Sequence, residues 1–281
     1  MKIIRNVSLM TRSALAQKTA GRSVGFVPTM GALHEGHLSL IRQARRDNDI
    51  VIVSIFVNPV QFGPKEDLKK YPRPIKKDIS LCRKAGVDIL FNPQPGEMYP
   101  EGFKSYVTVE GLSSLLCGKT RPGHFRGVVT VVLKLFNITQ PDTAYFGQKD
   151  FQQSAIIKRM ASDLNLSVKV KVMPIVREET GLALSSRNIY LNKEERKAAL
   201  VIPRALSLAN ILIKGGLRDS SRLVSRIKMV IEKEKKANID YVAVVEGEGL
   251  APVKKISGKC VIALAVWIGK TRLIDNMAVR I

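Results

Sequence analysis

The sequence predicts an α/β chain: a doubly wound parallel sheet followed by a smaller α+β unit. Three observations predict it. Short β-rich runs alternate with amphipathic helical segments from Ser23 to Val176. The first of these runs ends in a turn with two glycines and two histidines, of the kind that opens a helix towards an anion. After Asn188 the alternation stops, and helices are followed by three consecutive strand-like runs. The expected domains are 1–176 and 177–281.

Composition bounds the function. Hydrophobic residues make up 45% and charged residues 25% of the 281, which is a globular balance with ample core. Cys82, Cys117 and Cys260 are far apart and form no CxxC pair, so neither a disulfide framework nor a zinc ribbon is expected, and a reducing cytoplasm is. No apolar run reaches the length of a membrane span, so no membrane partner is expected. The first twenty residues lack the apolar core of a signal peptide and read as folded. The net charge of +22 attracts polyanions, which makes a basic nucleic-acid-binding protein the competing class. Against it, the basic residues are spread among apolar helical positions. Aromatics are only 6%, and no aromatic-basic strand offers a stacking platform, so no specific nucleic acid is expected.

In chain order, Ser23–Val27 reads as a buried strand, and Leu38, Leu40, Ile41 and Ala44 start an amphipathic helix. Gly31 and Gly36 can take backbone angles closed to other residues. The helix that follows offers unpaired N–H groups and a positive dipole end, which suits a phosphate. His34 and His37, three apart, can face one ligand from a single turn, and imidazole donates a hydrogen bond or a charge. Two other readings stand beside this one: half a zinc site, although the helical zinc motif needs i, i+4 spacing, and a pair of solvated turn histidines.

Ile50–Val57 is a continuous apolar run and reads as a central parallel strand. Asn58-Pro59 ends it, and Gln61 follows at its carboxyl end, where open α/β sheets bind ligands. Lys77–Gly86 reads as a helix and Val87–Phe91 as the next strand. Asn92–Gly102 is a loop with three prolines, and Ser105–Val109 is expected to form a short strand. Gly118-Lys119-Thr120 and Gly269-Lys270-Thr271 imitate the end of a P-loop, but the required earlier glycine is Ser113 in one and Leu264 in the other. Phe125, Val128, Val132 and Phe136 are spaced for a helix; Arg121 and Arg126 near its start are candidates for an anion, and His124 for packing or a ligand.

Thr143–Gly147 is another strand, followed by a polar turn and a helix carrying Phe151, Ile156, Ile157 and Met160. Lys149 is a flexible point charge suited to a phosphate, and Asp150 can cap the helix. Ser167–Val176 reads as a strand leading into the loop Arg177–Asn188. There Ser185, Ser186 and Arg187 offer hydroxyls and a guanidinium to a phosphate. Asn192 with Glu195 makes a capping pair for a helix kinked at Pro203 and closed by Gly215-Gly216. Asp219 caps a second helix through Lys236, and strands follow at Ile239–Val245, Lys259–Trp267 and Arg272–Val279.

Five ordered blocks carry a resemblance: Pro28–His37, Ser54–Phe62, Arg121–Gly127, Phe146–Asp150 and Leu182–Asn188. Together they resemble the pantoate–β-alanine ligase family. His34-Glu35-Gly36-His37 is similar to the His-x-Gly-His motif of its nucleotidyl-transfer superfamily. Within the blocks Gln148 stands where the family often has Glu. The resemblance implies a Rossmann-like sheet with a C-terminal lid, and a cytoplasmic homodimeric ligase that makes pantoyl adenylate from pantoate and ATP and passes the acyl group to β-alanine. It places Met30, Gly31, Ala32, Leu33, His34, Glu35, Gly36, His37, Gly147, Gln148, Lys149, Asp150, Val176, Leu184, Ser185, Ser186 and Arg187 at ATP. Gln61 and Gln153 would hold pantoate, with Gln61 also near β-alanine. His34, His37, Lys149 and Arg187 would carry the catalysis. Mg2+ would arrive with ATP, with Asp78 as a carboxylate contact. Another adenylyl-transfer enzyme of the superfamily would share the histidine turn but need not have both glutamines.

Overall fold

A computed structural model describes residues 1–64 and 66–281. Its elements are β1 (Lys2–Ile4), α1 (Val7–Thr19), β2 (Val24–Thr29), α2 (Glu35–Asp47), β3 (Ile50–Ile55), α3 (Ile75–Lys84) and β4 (Ile89–Phe91). Two single turns follow, α4 (Pro95–Met98) and α5 (Cys117–Thr120), then α6 (His124–Thr139), β5 (Thr143–Gly147), α7 (Phe151–Asp163) and β6 (Lys169–Met173). The chain ends with α8 (Lys193–Ala199), α9 (Val201–Lys214), α10 (Ser220–Glu232), β7 (Ala237–Glu246), β8 (Lys259–Ile268) and β9 (Thr271–Arg280). Two compact units result. One comprises Met1–Ser114, Arg121–Gly147 and Gln153–Pro174; the other comprises Leu115–Thr120, Gln148–Gln152 and Ile175–Ile281.

The first unit is built on a six-stranded sheet in the order β1-β4-β3-β2-β5-β6, with every neighbouring pair parallel. Successive side chains of a strand point to opposite faces, so strands apolar at every position are buried on both. Val27, Val51, Val53 and Leu90 pack with Leu40, Ile41 and Ala44 of α2 and Cys82 of α3. On the other face, Phe26 meets Phe136 of α6 edge-on at 6.4 Å, and Phe136 meets Phe146 at the same distance. From β2 the chain builds outward through β3 and β4; from β5 it builds the other way to β6. The order therefore reverses between β2 and β5, and a crevice forms outside the carboxyl ends at such a switch point.

A polar knot, buried at Asn48 and Tyr145 and open at Asp47, ties α2 to this sheet. Asn48 donates to the Tyr145 hydroxyl at 2.8 Å, and Tyr145 donates to Asp47 at 2.8 Å. Lys171 reaches the same Asp47 oxygen at 2.7 Å. Gly25 is required beside it, because a Cβ there would lie 2.6 Å from Asn48 Nδ2.

The second unit is an antiparallel sheet in the order β7-β8-β9. One core joins Ile202, Leu206, Leu223, Ile227 and Ile231 of its helices to Val244, Ile262, Leu264 and Val266 of its strands. The Asn192–Glu195 capping box is present with both bonds, at 2.9 and 3.0 Å. Asp219 Oδ1 accepts the Arg222 N–H at 2.7 Å.

Four elements differ from the sequence reading. Pro203 does not bend one helix: the chain breaks at Leu200 into α8 and α9, since proline has no N–H to offer the carbonyl of Ala199. Residues 105–109 form no strand; Val107 donates to Thr130 Oγ1 on α6, and Arg126 stacks 4.2 Å over Tyr106. Helix α10 stops at Glu232, ahead of the charged run Lys233–Lys236. A helical turn, α4, interrupts the proline-rich loop.

Candidate active site

Strand β2 ends at Thr29, whose hydroxyl donates to the Ser54 carbonyl and accepts the Gly31 N–H at 3.1 Å. Gly31 (φ +84°) and Ala32 (φ +50°) are successive left-handed residues. The N–H groups of Ala32 and Leu33 leave this turn towards one place, which makes a hollow suited to an anion. The protein fills that hollow itself. Asp78, only 1% exposed on the first turn of α3, accepts the Ala32 and Leu33 N–H groups on separate oxygens, both at 2.9 Å. Burial raises its pKa above the ordinary carboxylate value, while the two backbone bonds pull the other way. Asp78, expected as a magnesium contact, thus has both oxygens on the backbone of the turn. Among the described residues no cluster of three or more His, Cys, Asp or Glu is arranged for a metal.

His34 is the N-cap of α2, in extended conformation. Its Nδ1 accepts the Gly36 N–H at 3.2 Å, and its own N–H donates to His37 Nδ1 at 3.4 Å. The rings lie 4.1 Å apart. With both Nδ1 atoms accepting from main chain, each neutral ring keeps its proton on Nε2. The histidines are thus cap and donor at once. Glu35 pairs with Arg42 of the same helix.

Gln61, 9% exposed, sits in a 3₁₀ turn after β3, with Nε2 3.2 Å from Met30 Sδ. The structure therefore brings Gln61 to the histidine turn. Gln153 is half-buried on α7 in the same unit. Its neighbour Gln152 has a different task, accepting the Cys117 N–H at 3.0 Å and donating to the Leu115 carbonyl at 2.7 Å. Arg121 is a candidate anion ligand by sequence, but both Glu66 oxygens bind it, at 2.6 and 2.7 Å.

In the second unit, Gln148–Asp150 form a 3₁₀ turn directly after Gly147. Asn276 donates to the carbonyls of Gln148 and Lys149 at 2.9 and 3.1 Å and accepts from Gln148 Nε2 at 3.3 Å. Asp275, 2% exposed, accepts the Asn276 N–H at 2.8 Å and is held by Arg177 through two bonds at 2.6 and 2.9 Å. Val176 and Leu184 are joined across a tight hairpin by a 3.0 Å bond. Ser185 caps the next 3₁₀ turn by accepting the Arg187 N–H, and Ser186 and Arg187 open that turn. Sequence reasoning missed Asn276, Asp275 and Asn58 as supports. The available signal was an Asp-Asn pair between the apolar runs Leu273-Ile274 and Met277–Val279, and an Asn at a strand end.

Comparison with known proteins agrees with this geometry. A sequence profile of the family described as pantoate-beta-alanine ligase matches residues 2–278. The pantothenate synthetase of Heliobacterium modesticaldum is 57% identical over all of both chains, and that of Acetivibrio thermocellus 53% over all of both. A crystal structure of pantothenate synthetase from Thermus thermophilus superposes with a TM-score of 0.92 at 44% identity, covering 99% of each chain. One of pantoate-beta-alanine ligase from Francisella tularensis, complexed with beta-gamma ATP and beta-alanine, gives 0.80 at 37%, covering 99% of this chain and 97% of that one. The chain belongs to the pantoate-beta-alanine ligase family.

Proposed function

We propose that this chain condenses pantoate with β-alanine at the expense of ATP, through a pantoyl adenylate. A pantoate carboxylate oxygen attacks the α-phosphorus, and pyrophosphate leaves. The β-alanine amine then attacks the acyl carbon, loses a proton, and AMP leaves with the electrons of the acyl–oxygen bond. Since pantoate's own carboxylate is the nucleophile, no serine or cysteine nucleophile is needed.

The observation that carries this reading is the double-histidine cap of α2. Two imidazoles whose Nδ1 atoms face main chain keep Nε2–H donors for charge that builds on the α-phosphate and departing pyrophosphate. Lys149 and Arg187 add cationic charge to the same phosphates, supported by their places in the family's motifs. Met30 to His37, Gly147 to Asp150, Val176 and Leu184 to Arg187 serve ATP, and Gln61 and Gln153 serve pantoate. Gln61 also serves β-alanine. Magnesium enters on the phosphates of ATP, and no residue of this chain is assigned to hold it. The second unit acts as a lid, and the enzyme works as a cytoplasmic homodimer, as the family likeness implies.

A pyrophosphate-release assay tests this. Pantoate and ATP alone should release one pyrophosphate per site, and β-alanine should turn that burst into steady turnover. No pantoate-dependent release would sink the reading; release with another acid instead would favour a different adenylyl-transfer enzyme.

A further inference from the structure

The groups around Gln61 fix the hydrogen positions there, because most of them have only one role available. Arg121 stands between Glu66 and His124. Its Nε and Nη2 donate to the two Glu66 oxygens, and its Nη1 lies 3.0 Å from His124 Nε2. A guanidinium only donates, so His124 Nε2 accepts. The neutral ring then carries its proton on Nδ1, which lies 2.8 Å from the Gln61 carbonyl oxygen. A carbonyl only accepts, so the assignment is consistent from both ends. His124 therefore holds the opposite tautomer from His34 and His37.

The side chain of Gln61 is fixed in the same way. Asn58, 1% exposed, accepts the Val60 N–H and the Tyr99 hydroxyl on Oδ1. Its Nδ2 donates to the Gly127 carbonyl and to Gln61 Oε1, both at 3.0 Å. The backbone groups among these cannot exchange roles, so Gln61 Oε1 must accept and Nε2 becomes the donor end. Helix α6 presses on this turn from close by: a Cβ on Gly127 would lie 2.6 Å from the Val60 oxygen and 2.7 Å from Gln61 N.

We propose that His124, set in its Nδ1–H tautomer by the Arg121–Glu66 ion pair, is a positioning residue that holds Gln61 with its amide NH2 presented to an oxygen of pantoate. The inference rests on Gln61 being a pantoate ligand, as above. His124 itself need not touch substrate. It fixes the main chain of Gln61 while Asn58 fixes the amide, so the donor is aimed before pantoate arrives, and less ordering is left for binding. Selection follows: a hydroxyl or carboxylate oxygen accepts this bond, while a substrate presenting only a donor there would be rejected.

Side-chain nitrogen spectra of the intact enzyme, labelled at histidine, should show one Nδ1–H ring and two Nε2–H rings, with the Nδ1–H signals lost in His124→Asn. Arg121→Leu removes one of the two groups that set this tautomer, so the His124 Nδ1–H should exchange faster with solvent while the Gln61 carbonyl still accepts it. His124→Leu should raise the KM for pantoate about tenfold or more, since it orphans a buried carbonyl, with the KM for ATP within twofold of wild type. His124→Asn, whose amide nitrogen stands near the position of Nδ1, should restore most of the pantoate KM. Equal damage from Leu and Asn, an unchanged pantoate KM in His124→Leu, or an Nε2–H tautomer at His124 would each overturn the proposal. Should His124→Leu not fold, the wild-type tautomer and the Arg121→Leu spectrum decide. Gln61→Ala separates the two levels. If it leaves pantoate binding intact, the ligand assignment has failed; if it weakens pantoate while His124→Leu does not, the positioning role alone has failed.

Discussion

Asn276 holds Lys149 by its main chain. The amide of Asn276 donates to the Lys149 carbonyl at 3.1 Å and to that of Gln148 at 2.9 Å, so strand β9 fixes the turn from which the lysine projects. A flexible side chain delivers charge to one place only if its root is fixed. Here the root is anchored through Asp275 to the guanidinium of Arg177.

Asn276→Ala should therefore lower the adenylation rate about tenfold, the effect of a lost hydrogen bond and an ill-placed charge. Asn276→Asp should be worse, because it sets a charged oxygen against two carbonyl oxygens where alanine leaves only a lost donor. Rapid-quench measurement of pantoyl adenylate checks both; an Asp variant as active as wild type would detach β9 from the chemistry.

His37→Ala should slow single-turnover formation of pantoyl adenylate by about 10²–10³, the usual cost of one preorganised donor. Attack of β-alanine on supplied pantoyl adenylate should slow much less, and Lys149→Ala should follow the same pattern. The variant also removes the acceptor of the His34 N–H, which costs about 1 kcal/mol of stability at a helix cap. Normal adenylation with a crippled second step would move His37 to amine activation.

Gln153→Ala should weaken pantoate far more than ATP in calorimetric titrations. An amide offers donors and acceptors suited to hydroxyls and a carboxylate, whereas phosphates call for charge. Equal losses for the two ligands would remove Gln153 from the pantoate site.

Gly127→Ala should destabilise the fold by about 1–3 kcal/mol, as overpacking does, and raise the pantoate KM with it. The added methyl has backbone rather than a movable side chain in its way. Urea unfolding and initial rates on the same preparation test both halves; an unchanged KM would mean that the Gln61 turn yields freely.

Asp47 should make stability fall on the acid side. Its hydrogen bonds from Lys171 and then Tyr145 hold its pKa below the ordinary 3.8. A carboxylate depressed by folding contributes stability that is complete above its unfolded pKa and is lost as pH falls through the depressed value. Wild type and Asp47→Asn, unfolded by urea across the acid range, should differ most near neutrality and converge at the acid end. A difference that grows on acidification would reverse the sign.

The sequence made local chemistry legible and left remote partners hidden. The β2–turn–α2 unit, the Asn192–Glu195 box and the Asp219 cap are written within a few residues and occur where expected. Asp78 is different. Its position looks like an ordinary charge on an amphipathic helix, yet its partners lie 45 and 46 residues earlier in the chain. Residues 105–109 have a strand's alternation, but the groups that meet them belong to helix α6. Pattern records which faces are apolar; it does not record what arrives to cover them.

The second unit draws Leu115–Thr120 and Gln148–Gln152 from upstream of its main stretch, and this has a consequence during synthesis. Every strand of the six-stranded sheet has left the ribosome once Pro174 has emerged. The upstream pieces cannot be finished then, because Asn276, which binds the carbonyls of Gln148 and Lys149, is made only after β7 and β8. Lys149 thus acquires its anchor only once β9 has been made. A chain stopped before β9 can form the parallel sheet and still lack the support beneath the lysine proposed to meet phosphate.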